Sequence, residues 1–333
     1  MIKKAFTVRA SSIGDSLMAK YLLENIRAKY PNARLGLVVA SRGAMIQNLF
    51  EAYSWLEVIE VNRRSPRALW YLIKNFWCSD LGVTQYTGGT LNLSTKLVAR
   101  FLARRGALVG FVDHSSLTRL IYDKLLPHHE RAGVPRLLEC SVLAAAGIPV
   151  ATKRMTFEYL PQPELLPRLG LQKKNYVVVG LFSGADARGL SPARKQDLVD
   201  ALAKQLSNTV FVFVGTKTER EKLLQLRLPA RSIIADTSVQ EAAALIDQAA
   251  AMVSLGTGTS HIASHLRIPL VVLVACQGLQ WVGNEQYGDA PMKVFCRPDA
   301  CPHGHDYSTF GPCINAVDMD AVAAAAKEYV LHW

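Results

Sequence analysis

The stretch Met252-Val253-Ser254-Leu255-Gly256-Thr257-Gly258-Thr259-Ser260-His261 runs from a buried-strand pattern into small polar residues, and "IASHL" then continues as a helix. A helix N-terminus offers unpaired backbone N–H groups and about half a positive charge. Thr257, Thr259 and Ser260 add hydroxyls, Gly258 a bare backbone, and His261 a ring N–H. Such a junction suits a diphosphate, although Thr and Ser are also ordinary helix caps and a lone His is often structural. It is neither a Walker loop nor G-x-G-x-x-G.

Three more junctions pair a strand end with chemistry. In Ser11-Ser12-Ile13-Gly14-Asp15 the glycine permits a tight turn, and Asp15 either caps a helix or offers a carboxylate that takes a proton. In Phe182-Ser183-Gly184-Ala185 the glycine lets backbone approach a phosphate, with Arg188 close by as a neutralising cation or a solvated surface residue. In Gly215-Thr216-Lys217-Thr218-Glu219 the glutamate either caps or holds ribose hydroxyls. Near the end, Cys296, Cys301, His303, His305 and Cys313 have a spacing that matches no standard zinc finger. Buried thiols and exposed histidines are the expectation there, with a zinc site as the alternative.

The elements that position these residues alternate strand and helix. "AFTVRA", "RLGLVVA", "LEVIEV", "DLGVTQY" and "ALVGFV" read as strands of the first half. "NYVVVGLFSG", "TVFVFVG", "RSIIAD", "AAMVSLG" and "PLVVLVA" read as strands of the second. Helical stretches lie between them. One is "DSLMAKYLLENIRAKY", with Leu17, Tyr21, Leu22 and Ile26 on one stripe. Strands that are apolar throughout, separated by helices, indicate parallel sheets covered on both faces. Pro161, Pro163 and Pro167 punctuate the chain where the pattern restarts. The expected division is an α/β domain over 1–160, a second over 173–315, and a closing helix over 316–333 that packs back on the first. Ligands in such sheets bind beyond the carboxyl ends of the strands, so a cleft between facing domains is the expected site.

The 333 residues carry a net charge of +11, which favours a polyanionic partner: a phosphorylated substrate, an anionic membrane surface or nucleic acid. Nucleic acid is the least expected, because neither a finger spacing nor an RNA-binding aromatic signature is present. No apolar run reaches the roughly 18 residues of a spanning helix, and "MIKKAFTVRASS" has no leader pattern, so a cytoplasmic location is expected. Six cysteines do not make a disulfide scaffold in a chain this long.

Taken in order, these junctions resemble glycosyltransferase family 9, the lipopolysaccharide heptosyltransferase family. "VRASSIGDSLMAKYLLENIRAKYPNARLGLVV" looks like its N-terminal signature and "SLGTGTSHIASHLRIPLVVLVA" like its C-terminal one, with "VGTKTEREKL" and "IIADTSVQEAAALIDQAA" fitting between. The resemblance implies a GT-B fold of two Rossmann-like doubly wound domains. It also implies an inverting, metal-independent and cofactor-free transfer from a nucleotide sugar, typically ADP-heptose, to an anionic lipopolysaccharide core on the inner face of the bacterial inner membrane. The family's general base falls on Asp15. Its donor positions fall on Gly184, Ala185, Arg188, Glu219, Thr257, Gly258, Thr259, Ser260 and His261. Ser11, Ser12, Gly14, Arg63 and Arg64 fall to the acceptor, with Arg67, Arg104 and Arg105 as further basic residues of the acceptor half.

One departure stands out: Gly256 occupies the place of the family's acidic residue. The Lys/Arg-x-Trp-Pro element also lacks its Trp in "RGLSPARK". Gly256 opens two alternatives, a transferase with a different donor sugar or a catalytically retired nucleotide-binding protein. A dinucleotide oxidoreductase is a weaker rival, lacking G-x-G-x-x-G and its acidic ribose partner.

Overall fold

The computed structural model describes the chain except residues 10–11, 40, 62–64, 85–92, 113–116, 128–134, 153, 186–187, 284–286, 288–289, 302–309 and 333. The described residues form two units, Met1–Met155 and Thr156–Trp333.

The first unit is built on β1 (Lys4–Arg9), β2 (Arg34–Val39), β3 (Leu56–Glu60), β4 (Leu81–Thr84), β5 (Leu108–Phe111) and β6 (Lys124–Leu126). They form one sheet in the order β3-β2-β1-β4-β5-β6, parallel throughout. The five runs read as strands supply β1 to β5. β6 is short and half-exposed at the sheet edge, and carries no continuous apolar signal.

The helix Ile13–Lys29 follows β1. Leu17, Tyr21, Leu22 and Ile26 are buried on it as the stripe predicts. It is apolar well beyond that stripe, because it lies between the sheet and the helix Pro135–Ala145. Asn25 closes a loop onto it: its side-chain carbonyl accepts from the N–H groups of Ala151 and Thr152 at 2.8 and 2.9 Å.

The second unit repeats the plan with β7 (Tyr176–Gly180), β8 (Val210–Phe213), β9 (Ser232–Ile234), β10 (Ala251–Leu255), β11 (Leu270–Leu273) and β12 (Met292–Phe295). The order β12-β11-β10-β7-β8-β9 is the same topology as the first unit, again all parallel. β12 is the second edge strand absent from the sequence reading, with a half-exposed pattern like that of β6.

The proline-punctuated stretch is fastened to this unit. Tyr159 donates to Asp247 at 2.7 Å, and the Leu160 N–H donates to Gln240 at 2.8 Å, both partners on the helix Val239–Gln248. The closing helix, Met319–His332, buries Val322, Ala323, Ala325 and Ala326 in the same core as Val177, Val253 and Val271. Its alanines admit close approach to the helix Pro192–Gln205. Among the described residues, no helix is long and apolar enough to cross a membrane.

Candidate functional site

Each sheet has one switch point, where the chain leaves a central strand in opposite directions, and the candidate residues gather at the carboxyl ends of the strands there. In the first unit the switch point lies between β1 and β4. Ser12 is the N-cap of the helix that follows β1. Its Oγ accepts from the Asp15 N–H at 3.2 Å and donates to the Asp15 carboxylate at 2.6 Å. The capping and chemical readings of this junction therefore fall on different residues: Ser12 caps, and Asp15 presents a half-buried carboxylate held by that cap. Gly14 is buried in the first turn. Ser11, Arg63 and Arg64 lie outside the described residues, as does the Arg67 side chain. Arg104 and Arg105 are exposed.

Behind Asp15 is a pair that the sequence reading missed. Arg9, the last residue of β1, donates to Glu139 at 2.5 Å, and the two side chains are 0% and 3% exposed. Burial pushes the Glu139 carboxyl up and the Arg9 guanidinium down, while their mutual attraction opposes both shifts. The negative charge of Asp15 raises both, so the three groups form one electrostatic cluster. Among the described residues, Arg9 Nε and Nη1 and Glu139 Oε2 have no hydrogen-bond partner.

In the second unit the switch point lies between β7 and β10. Gly180 ends β7, and a Cβ there would lie 2.9 Å from Ser254 Oγ and 3.4 Å from Thr259 Oγ1. That close approach packs the first turn of the helix Gly258–Leu266 over the strand end. A chain of hydroxyls crosses the junction: Ser254 to Thr259 at 3.4 Å, and Thr259 to Thr257 at 3.1 Å. The Ser260 hydroxyl accepts from the Thr257 N–H at 3.0 Å and donates to the Thr257 carbonyl at 2.7 Å. Across the switch point, Gly184, Ala185 and Arg188 are exposed, and the Arg188 N–H donates to the Ala185 carbonyl at 3.1 Å. Glu219 completes a capping box: its carboxylate accepts from the Thr216 N–H at 2.7 Å, and its own N–H donates to Thr216 Oγ1 at 3.4 Å. The arrangement accounts for this glutamate as a cap.

His261 is buried, and its Nδ1 meets the Tyr287 hydroxyl. Burial pulls its pKa down to about 4, so the ring is neutral at pH 7 and acts as a hydrogen-bonding group, not a cation. His265 Nδ1 donates to the His261 carbonyl at 2.7 Å, and its ring meets Tyr287 edge-on at 5.3 Å. Tyr287 carried no sequence signal, since it follows the histidine by 26 positions.

The His261 shift sets a pH expectation. The unfolded imidazole takes a proton near pH 6.5, the folded one only near 4, so stability is lost as pH falls through that window. The loss from this group between pH 7 and pH 5 is about 2 kcal/mol. Denaturant melts of His261→Gln at the two pH values are expected to show a correspondingly smaller acid-induced loss than the native chain.

Gly256 is exposed on its open side, but a Cβ there would lie 2.6 Å from Val274 Cγ1. Restoring an acidic residue with Gly256→Asp is therefore expected to destabilise the chain by about 1–3 kcal/mol. Adding Val274→Ala in thermal melts is expected to recover part of that loss.

Of the late cysteines, Cys301 and Cys313 come together with Cys276, their sulfurs all within 4.8 Å of one another. Cys296 hydrogen-bonds Cys313, and burial, then the neighbouring thiols, push its pKa up to about 12. His303 and His305 lie outside the described residues. Cys276 escaped the sequence reading because it follows a different strand, β11.

Residues 151–276 match the family model described as glycosyltransferase family 9 (heptosyltransferase). Every donor residue named above lies within that span, whereas Asp15 does not. No curated protein matches the chain in sequence. Among solved structures, the glycosyl transferase family 9 from Veillonella parvula DSM 2008 superposes with a TM-score of 0.76 at 15% identity, covering 99% of this chain and 98% of its own. The ADP-heptose lps heptosyltransferase II of E. coli gives 0.69 at 16% identity, covering 98% of each chain. The E. coli heptosyltransferase WaaC with ADP-2-deoxy-2-fluoro heptose gives 0.65 at 17%, covering 98% of this chain and 99% of that one. At these identities the likeness is one of fold, and the fold is GT-B, with two Rossmann-like units.

Proposed function

We propose that this chain, which carries a glycosyltransferase family 9 domain over residues 151–276, is an inverting transferase. It moves a sugar from an ADP-linked donor to a hydroxyl of an anionic lipopolysaccharide core. The observation that carries the reading is the hydroxyl-lined helix N-terminus at the second unit's switch point, inside the matched segment. In this reading the acceptor oxygen attacks the anomeric carbon from the face opposite the nucleotide, and its proton passes to Asp15. The bond from the anomeric carbon to the phosphate oxygen breaks, and the nucleoside diphosphate leaves with the electron pair. The N–H groups opening the helix Gly258–Leu266, the Thr257 and Thr259 hydroxyls and Arg188 offset the charge that grows there. Neutral His261 shares its Nδ1 with the Tyr287 hydroxyl, and in the tautomer protonated at the other ring nitrogen it can donate from there.

The neighbours support the donor class: the WaaC structures are described with ADP and with an ADP-linked fluoro-heptose. Gly256 is the observation that favours a sugar other than heptose, since no carboxylate is available there to hold sugar hydroxyls.

A panel of nucleotide sugars in thermal-shift measurements tests the reading. At one hundred times Kd an ADP-sugar should add about 2.7 kcal/mol of stability, with UDP- and GDP-sugars inert. Stabilisation by ADP-sugars without turnover would favour the retired nucleotide-binding protein, and no stabilisation by any nucleotide sugar would overturn both readings.

The acceptor's membrane is supported by a separate surface. Leu69, Trp70 and Ile73, on the helix Pro66–Lys74, are exposed, with Trp70 at 67%. Phe76 stacks on Trp77 at 4.8 Å and packs on Phe101 at 4.5 Å beside them. Lys74, Arg104 and Arg105 flank this patch, with the Arg105 guanidinium over the Trp77 ring. An apolar face rimmed by cations fits an anionic leaflet, tryptophan lying at the headgroup level. Trp70→Ser with Ile73→Ser is expected to reduce co-sedimentation with phosphatidylglycerol vesicles by about tenfold, with donor binding unchanged. Equal sedimentation would assign the patch elsewhere.

A further inference from the structure

From the side chains gathered beyond β11 and β12, we propose that Cys276, Cys296, Cys301 and Cys313 form a tetrathiolate site for a thiophilic cation, zinc or mononuclear iron. Three of the four sulfurs already lie within 4.8 Å of one another, and the fourth is hydrogen-bonded to Cys313. Ligands at 2.3 Å in a tetrahedron stand about 3.8 Å apart, so the cluster needs only a small contraction to close on a metal.

The backbone frames the site. β11 and β12 are parallel neighbours, with Leu273 in register with Phe295, so Cys276 and Cys296 leave the same edge of the sheet side by side. The Arg297 N–H donates to the Cys313 carbonyl at 2.9 Å and ties the two loops together. The Cys276 N–H donates to Cys313 Sγ at 3.2 Å, a contact that stabilises a thiolate sulfur. Cys313 is fully buried and the other three are partly so, which shields the site without closing it. Four soft sulfur donors select zinc or iron over magnesium or calcium.

Binding M²⁺ releases the four thiol protons and leaves a complex of charge −2, with no change of oxidation state. Its role is structural, because four protein ligands leave no open position for substrate. Cys276 and Cys296 bracket the segment that carries Tyr287, so the metal anchors both ends of the stretch whose tyrosine meets His261.

The test is elemental analysis of the full chain purified without chelator, together with its visible spectrum. One zinc or one iron per chain is expected. Ferrous tetrathiolate is nearly colourless, so the spectrum is read after exposure to air, where dioxygen takes one electron from Fe²⁺: the red of the ferric tetrathiolate would identify iron, and a colourless protein with one zinc by elemental analysis would identify zinc. Cobalt added to chelator-treated protein should give the intense visible bands of tetrahedral thiolate coordination. Cys313→Ser and Cys276→Ser should each lower metal content at least about tenfold. Cys301→His should retain zinc, and Cys78→Ser, outside the cluster, should retain it fully. Substoichiometric metal in the native chain, with no uptake of zinc, iron or cobalt, would overturn the proposal. So would a disulfide within the quartet of the purified protein, or full metal content in Cys313→Ser. Should the serine variants fail to fold, native-chain stoichiometry and the cobalt spectrum decide alone. Metal content is read without donor or acceptor, so its outcome is separate from that of the proposed transfer.

Discussion

Asp15→Asn is expected to lower kcat by about two to four orders of magnitude while leaving donor affinity unchanged. Asparagine is the informative replacement because it keeps the shape and an acceptor oxygen for the Ser12 hydroxyl, whose bond to the carboxylate is 2.6 Å. The Ser12 cap to the backbone N–H of residue 15 also survives, so the helix Ile13–Lys29 keeps its start. Only the capacity to take a proton is lost. Steady-state kinetics with the donor identified by thermal shift, alongside nucleotide titration, separate the two effects. The acid limb of the kcat/KM profile should disappear with the carboxylate. Turnover within threefold of the native chain would remove Asp15 from the chemistry.

Breaking the buried pair behind it carries the second large effect. Glu139→Gln or Arg9→Met leaves one full charge in a site that water does not reach, and each is expected to cost about 3–5 kcal/mol in urea unfolding. The double replacement Arg9→Met with Glu139→Leu removes both charges and is expected to recover most of that loss. The kinetic consequence has a sign. With Glu139 neutralised, the Arg9 guanidinium acts on Asp15 unopposed and favours its ionised form, moving the acid limb to lower pH. Arg9→Met leaves Glu139 as a second carboxyl beside Asp15 and moves the limb to higher pH. A purely structural pair would change stability and leave the pH profile where it was.

The central strands were legible because strands covered on both faces are apolar without interruption, as "VVVG" and "VFVF" are. The edges were not: Lys124–Leu126 and Met292–Phe295 are half-exposed and short, so no apolar run marks them. Helices such as Gly43–Leu49, whose N-cap Arg42 lies in the left-handed region without a side-chain cap bond, also lack the usual start signal. At the site, local chemistry was readable and long-range chemistry was not. Ser12, Asp15 and Thr257–His261 stand next to their strands in sequence. Arg9 and Glu139 meet across 130 positions, and Cys276 joins Cys313 across 37, through sheet neighbours that no local spacing encodes. Glu219 shows the reverse case, a residue whose position fits ribose binding and whose bonds close a cap.

The packing of Val322, Ala323 and Ala326 among the strands of the second sheet has a consequence for biosynthesis. On the ribosome, the amino-terminal unit has all its layers once the helix Pro135–Ala145 has left the exit tunnel. The other unit lacks one wall of its interior until residues 319–326 emerge, although its central strand was made far earlier. The nascent chain thus folds in two stages, and its later half spends most of its translation with an unfilled apolar face that chaperones would recognise.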